Sequence, residues 1–278
     1  MYTINITQNT VNKYHLISKK YDNFYDLYSN LIKKTISDFL IFKNGYKFPD
    51  SNLFNNYLDS SYNSWDNTLK IYIDVNQEIR TTELGEYNMR LQRHSAKIII
   101  YIDRIIDSCR IFDPNINEKE HFEGVLLHEL FHCYHNCCRK DKGKGWIMER
   151  YRGQVHKGRK NRRENGLPLI ERIERRKFIV EGLASYFEYL YYSSANNTIL
   201  ANDLINLWNK NKDYLPEKII YRLPEPKTQF GSVFKYDYYY SFAKYILNSK
   251  NDNIFYQIFI ASITKFDEAY KKIDNRNL

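Results

Sequence analysis

Four cysteines are too few to staple a chain of 278 residues, so a disulfide framework is excluded as its organising principle. Glycine is scarce as well: there are ten, and five of them (Gly143, Gly145, Gly153, Gly158 and Gly166) fall in one stretch between residues 139 and 177. No run of 18 apolar residues occurs, so the sequence offers no membrane-spanning helix and no membrane partner is expected. The opening residues Met1-Tyr2-Thr3-Ile4-Asn5-Ile6 lack the basic segment and apolar stretch of a secretory leader, and a cytoplasmic protein is expected. Internal repeats are absent too, which removes the repeat architectures.

What the chain does hold is aromatic surface and positive charge. There are 26 tyrosines and 16 phenylalanines, which points to large, half-buried aromatic contacts within an ordinary hydrophobic content of 43%. At this length the chain can bury a full core as one large domain or two small lobes. The charge is uneven. Residues 139–177 carry 15 Lys+Arg against 5 Asp+Glu, a local +10 beside +9 for the whole chain. This basic, glycine-punctuated stretch reads as an excursion of loops or a hairpin. It could recruit an acidic protein or a nucleic acid, or simply be a solvated insertion.

The most informative pattern is His128-Glu129-Leu130-Phe131-His132. Two histidines four residues apart on a helix project from one face and can grip one zinc ion, with Glu129 beside that face as a base. A random HExxH is expected in about one chain in a hundred of this composition, so context has to decide. Asn117 followed by Glu120 resembles a capping box, and Val125, Leu126, Leu127, Leu130 and Phe131 then make an apolar stripe. The histidines are therefore expected on a buried or half-buried helix, where an imidazole needs a partner or a metal. A catalytic zinc takes three protein ligands, and the candidate for the third is Glu181. Glu149, Glu164, Glu171, Glu174 and His156 stand nearer in sequence and stay open, although none precedes Gly-x-Ala-x-Tyr as Glu181 does. Cys133, Cys137 and Cys138, with His135 among them, are read as small buried residues rather than a second metal site.

Along the chain, residues 1–65 read as a mostly helical N-terminal region, with apolar residues at helical spacing over 11–20 and 24–42. Residues 69–75 alternate as a strand does, 78–93 are expected to be helical, and 97–103 form the best strand in the sequence. Pro168 opens a helix running to about residue 192, followed by helices over 200–211, 233–249, 253–261 and 266–273. The class is α+β, a small mixed sheet followed by a mainly helical C-terminal part.

These residues together resemble the gluzincin metallopeptidases, the thermolysin-like clan in which HExxH is followed on a second helix by a glutamate ligand. The aminopeptidase-like branch is the nearer match, through Val180-Glu181-Gly182-Leu183-Ala184-Ser185-Tyr186. Tyr236-Asp237-Tyr238-Tyr239-Tyr240-Ser241-Phe242 is similar to the tyrosine-bearing helix of such proteins, and Phe266-Asp267-Glu268-Ala269-Tyr270 to the helix that closes their catalytic domain. The resemblance covers about residues 69–278. It implies a zincin-like catalytic domain over 66–278 with a basic insertion at 139–177, and one Zn²⁺ on His128, His132 and Glu181. Glu129 would be the general base in the hydrolysis of peptide bonds of a peptide or protein substrate. Tyr238 would donate to the oxyanion, with Tyr236 and Tyr240 as alternatives. Residues 97–103 would form the edge strand next to the HExxH helix, along which an extended peptide lies. Glu188, two turns beyond Glu181, is one acceptor that could orient an imidazole ligand. The 48 residues between His132 and Glu181 are a departure, since the clan's best-known members have a far shorter gap. A metzincin is excluded, because His135 and Cys138 stand where it needs Gly and His. Two other readings remain: a metalloprotease that attacks nucleic-acid-bound proteins through residues 139–177, and a zinc-stabilised binding module without turnover.

Overall fold

A computed structural model describes residues 2–6, 10–13, 23–46, 48–59, 68–75, 84–90, 95–111, 117–143, 163–164, 167–195, 198–210, 242–249 and 253–259. The chain divides into two units, Met1–Cys138 and Arg139–Leu278.

The first unit is built on a four-stranded mixed sheet. Its strands are β1 (Tyr2–Ile6), β2 (Leu69–Asp74), β3 (Gly85–Arg90) and β4 (Ser95–Tyr101), in the spatial order β1-β2-β4-β3. β1 and β4 both run parallel to β2, whereas β3 is antiparallel to β4. Leu69, Ile71 and Ile73 on β2 and Ala96, Ile98 and Ile100 on β4 are buried on one face. The alternating residues Lys70, Tyr72, Asp74, Lys97 and Ile99 lie on the other, as the two-residue period of a strand requires. There the ammonium of Lys97 stands 4.4 Å from the centre of the Tyr72 ring.

Two expectations are corrected here. The stretch 97–103 is not an edge: β4 lies between β2 and β3, and the chain leaves it at Tyr101 to enter helix α3 (Ile102–Ile111). A continuous run such as Ile98-Ile99-Ile100 suits the middle of a sheet, where hydrogen bonds are made on both sides. Within the expected helix over 78–93, the described part is strand β3, an edge bearing Glu86. The N-terminal region opens with strand β1, at the other end of the described sheet, and its remaining described elements are helices.

Helices complete the unit. α1 (Phe24–Gly45) buries Phe24, Tyr28, Ile32, Ile36 and Phe39, a stripe at three- and four-residue spacing. α2 (Asn52–Leu58) is capped by Ser51, whose hydroxyl accepts from the Phe54 amide at 3.2 Å. α4 (Glu118–Asp141) carries the HExxH pentapeptide. α1 lies along α4: Tyr28 donates to Glu118 and packs edge-on to Phe122, and a turn later Lys34 reaches Glu123 at 3.1 Å. Farther along, Phe39, Phe54 and Tyr134 meet with ring centres 5.3–5.8 Å apart. Edge-to-face pairs of this kind add about 0.5–1.5 kcal/mol each beyond the area they bury. This aromatic cluster fixes α4 from the side of α1 and α2.

The second unit is mainly helical in its described residues. Two-residue strands β5 (Arg163–Glu164) and β6 (Leu167–Pro168) pair antiparallel and lead into α5 (Leu169–Ser194). α6 (Thr198–Lys210) packs on α5, and residues 242–248 and α7 (Asn253–Phe259) are also helical. Residues 178–180 and 182–187 of α5 are buried without interruption, the mark of a helix covered on all sides. Phe178 packs on Phe242 at 5.5 Å and Tyr186 on Phe255 at the same distance. Among the described residues no helix is long and apolar enough to cross a membrane. Of the helix expected over 233–249, residues 233–241 lie outside the described residues, as does the helix expected over 266–273.

Candidate metal centre

α4 begins as its sequence implies. The Asn117 side chain accepts from the Lys119 amide at 3.0 Å, and the Asn117 carbonyl accepts from the His121 amide at 3.0 Å. That cap sets the phase of the helix, which buries Phe122, Leu126, Leu127, Leu130 and Phe131. The same phase brings His128 and His132 to one face, one turn apart, with ring centres 4.6 Å apart and planes at 79°. His132 and Glu129 are buried, and His128 is half-buried.

His128, His132 and Glu181 each offer a ligand atom, and these atoms all lie within 4.8 Å of one another. Among the described residues this is the one group of histidine, cysteine and carboxylate side chains placed to hold a metal ion. The donor set fits the expectation. Two imidazoles and one carboxylate are a catalytic-zinc ligand set, and bonds of about 2.0–2.1 Å in tetrahedral geometry put two ligands about 3.4 Å apart. Of the alternative third ligands, Glu149 and His156 lie outside the described residues. Glu164, Glu171 and Glu174 have their backbone described but not their side chains. Glu188 is half-buried two turns along α5. Cys133, Cys137 and Cys138 are buried, and among the described residues they belong to no group placed to hold a metal ion.

Two glycines shape the surroundings of the candidate ligands and base. A Cβ on Gly85 would stand 2.8 Å from Val125 Cγ1, 3.0 Å from Glu129 Cγ and 3.1 Å from Glu129 Oε1. The first residue of edge strand β3 therefore lies directly against the carboxylate between the two histidines, an approach only glycine permits. A Cβ on Gly182, next to Glu181, would stand 2.6 Å from Phe242 Cβ and 2.7 Å from its Cδ1. The glycine of the Glu181-Gly182 pair thus admits the ring of Phe242 against the helix that carries the carboxylate. Tyr236, Tyr238 and Tyr240 lie outside the described residues; Phe242, which closes the same stretch, is described and buried.

Gly85 was missed by sequence reasoning. Its signal was the glycine itself, which breaks any helix drawn through 78–93. β3 is also tied to α4 at a second point: Tyr87 is buried, and its hydroxyl accepts from Asn136 Nδ2 at 2.7 Å. Burial, with Cys133 and Cys137 close by, holds the Tyr87 phenol well above its usual range, so it stays neutral. On the strand's other face, Glu86 accepts from Asn88 and from the Tyr101 hydroxyl at 3.2 Å.

Residues 144–162 and 165–166 of the basic stretch 139–177 lie outside the described residues. Its first member, Arg139, is 1% exposed, and burial lowers its guanidinium pKa to about 10. Arg139 is therefore a packed residue rather than part of an open basic surface. The chain matches no protein-family model, no curated protein and no solved structure.

Proposed function

We propose that this chain is a zinc-dependent peptidase of the gluzincin type, with a zincin-like arrangement of sheet and helices. The observation that carries the reading is the His128, His132 and Glu181 donor set, ligand atoms within 4.8 Å, with the buried Glu129 between the two histidines in sequence. Zinc at such a site polarises a carbonyl and lowers the pKa of water to about 7. Glu129 accepts the proton from the attacking water and delivers it to the leaving amine, a step worth about 10²–10⁴ in rate. A fixed metal site that served stability alone would have no use for that carboxylate.

The edge strand supports the same reading. Among the described residues no strand pairs with the outer side of β3, and its first residue touches Glu129. An extended peptide added to that side would be held by backbone hydrogen bonds, its scissile bond near the base. That role passes from residues 97–103 to β3. The oxyanion donor is assigned, through the resemblance, to Tyr238, with Tyr236 and Tyr240 as alternatives.

The test joins metal analysis with turnover. Purified protein should contain about one zinc per chain. Glu129→Gln should keep that zinc while cleavage of labelled casein and of a quenched-fluorescent peptide panel falls at least about 10²-fold. Absence of bound zinc would sink the reading. Zinc without cleavage of any substrate, in wild type and variant alike, would leave a binding module instead.

A further inference from the structure

We infer that Tyr87 and Asn136 are positioning residues: their hydrogen bond straps edge strand β3 to α4 and sets where Gly85 meets Glu129. The inference rests on the peptidase reading for its functional consequence, and on coordinates of the first unit alone for its geometry.

Three observations carry it. Gly85 and Tyr87 are two apart on β3 and so share one face, the face against α4. Gly85 meets α4 at Val125 and Glu129, and Tyr87 meets it at Asn136, so strand and helix run in the same direction. Two strand residues advance about 6.8 Å and seven helical residues about 10.5 Å. The reach of the tyrosine ring spans the difference, so the hydroxyl meets Asn136 at one register only. Second, both partners are buried, so a slipped strand would break a hydrogen bond that water cannot readily replace. Third, Asn136 lies one turn beyond His132, on the stripe that runs His128, His132, Asn136. The register of the strand and the direction of the histidines are thereby referred to the same side of one helix.

β3 needs such a device. Among the described residues it pairs only with β4, on one side, and its sequence, Gly-Glu-Tyr-Asn-Met-Arg, has no β-branched residue to stiffen it. Without the strap an edge strand of this kind frays, and a peptide pairing with it would be presented to Glu129 at variable depth. Binding would suffer before chemistry does.

The experiment compares wild type, Tyr87→Phe and the double variant Tyr87→Phe/Asn136→Leu by amide hydrogen exchange and by KM and kcat on the best-cleaved peptide of the panel. Phenylalanine keeps the ring and removes only the hydroxyl. Exchange over residues 85–90 should speed up about tenfold, with the rest of the chain within about twofold. KM should rise about tenfold with kcat and zinc content nearly unchanged. In the double variant the buried amide is gone, so thermal stability should return while the raised KM and the fast exchange of β3 persist. Three results would overturn the inference: unchanged exchange in β3, faster β3 exchange at an unchanged KM, or full recovery of KM in the double variant. If wild type cleaves no peptide, the peptidase reading is what falls, and exchange alone then decides the strap.

Discussion

Phe242 fills the space that a side chain at Gly182 would need, its Cβ 2.6 Å from the position such a group would take. Gly182→Ala must therefore push the ring away or shift α5. Overpacking of this kind costs about 1–3 kcal/mol. The midpoint of thermal unfolding is expected to fall by about 3–10 °C. Zinc retained after dialysis should also fall, because Glu181 is the preceding residue on the strained turn. Calorimetry with metal analysis on the dialysed variant checks both, and a variant as stable and as metal-rich as wild type would contradict the packing argument.

Gly85→Ala probes the other close approach. The added methyl meets Val125 and the Glu129 carboxylate rather than the aromatic core, so the fold should survive while the carboxylate proposed as the base is displaced. Displacements near 1 Å can cost about 10²-fold in rate. We expect kcat to fall by about 10–100-fold at full zinc occupancy. Circular dichroism and titration with a zinc indicator separate this outcome from unfolding.

Removing metal from the proposed His128, His132 and Glu181 site should destabilise the protein. A ligand present at 100 to 1,000 times its dissociation constant stabilises the folded state by about 2.7–4.1 kcal/mol. A chelator should lower the unfolding midpoint of wild type, and added zinc should restore it. Glu181→Ala and His132→Ala should show little or no response to either. An undiminished response in Glu181→Ala would transfer the third-ligand role to another carboxylate.

His121 gives the stability a dependence on pH. Its Nε2 is buried without a hydrogen-bond partner, and burial holds its pKa below the ordinary 6.5. The folded chain thus releases a proton that the unfolded chain still binds near pH 6. Protonation then favours unfolding, so stability is full above 6.5 and is lost as pH falls from there towards the folded value. Urea unfolding at about pH 7.5 and about pH 5.5 should show the loss in wild type, and His121→Gln should lack this part of it.

Local signals made part of the architecture legible. The Asn117 cap and the apolar stripe placed α4, the β-branched runs placed β2 and β4, and Pro168 placed the start of α5. Glu181 was legible because Gly-x-Ala-x-Tyr follows it, although 48 residues separate it from His132. β1, Tyr2-Thr3-Ile4-Asn5-Ile6, carries strand-forming residues that a helical reading of the N-terminal region passes over. β3 was not legible: it is a strand because of what it pairs with, and that pairing is invisible to a local window. Reading residues 97–103 as an edge inverted the physics: a run of three isoleucines with bonds on both sides belongs in the middle, and the glutamate-bearing strand belongs outside. The close approach of Gly85 to Glu129 likewise needed coordinates, since nothing in a lone glycine says which side chain lies opposite it.

The pairing of residue 2 with residue 69, and of β2 in turn with β4, makes the sheet late to assemble. On a ribosome the first strand emerges long before its neighbour, and the neighbour before the central strand that ends at Tyr101. Until then Tyr2–Ile6 is an unsatisfied ribbon seeking a mate. Contacts so distant along the chain slow closure, which makes nascent protein vulnerable to capture by chaperones or by other copies of itself.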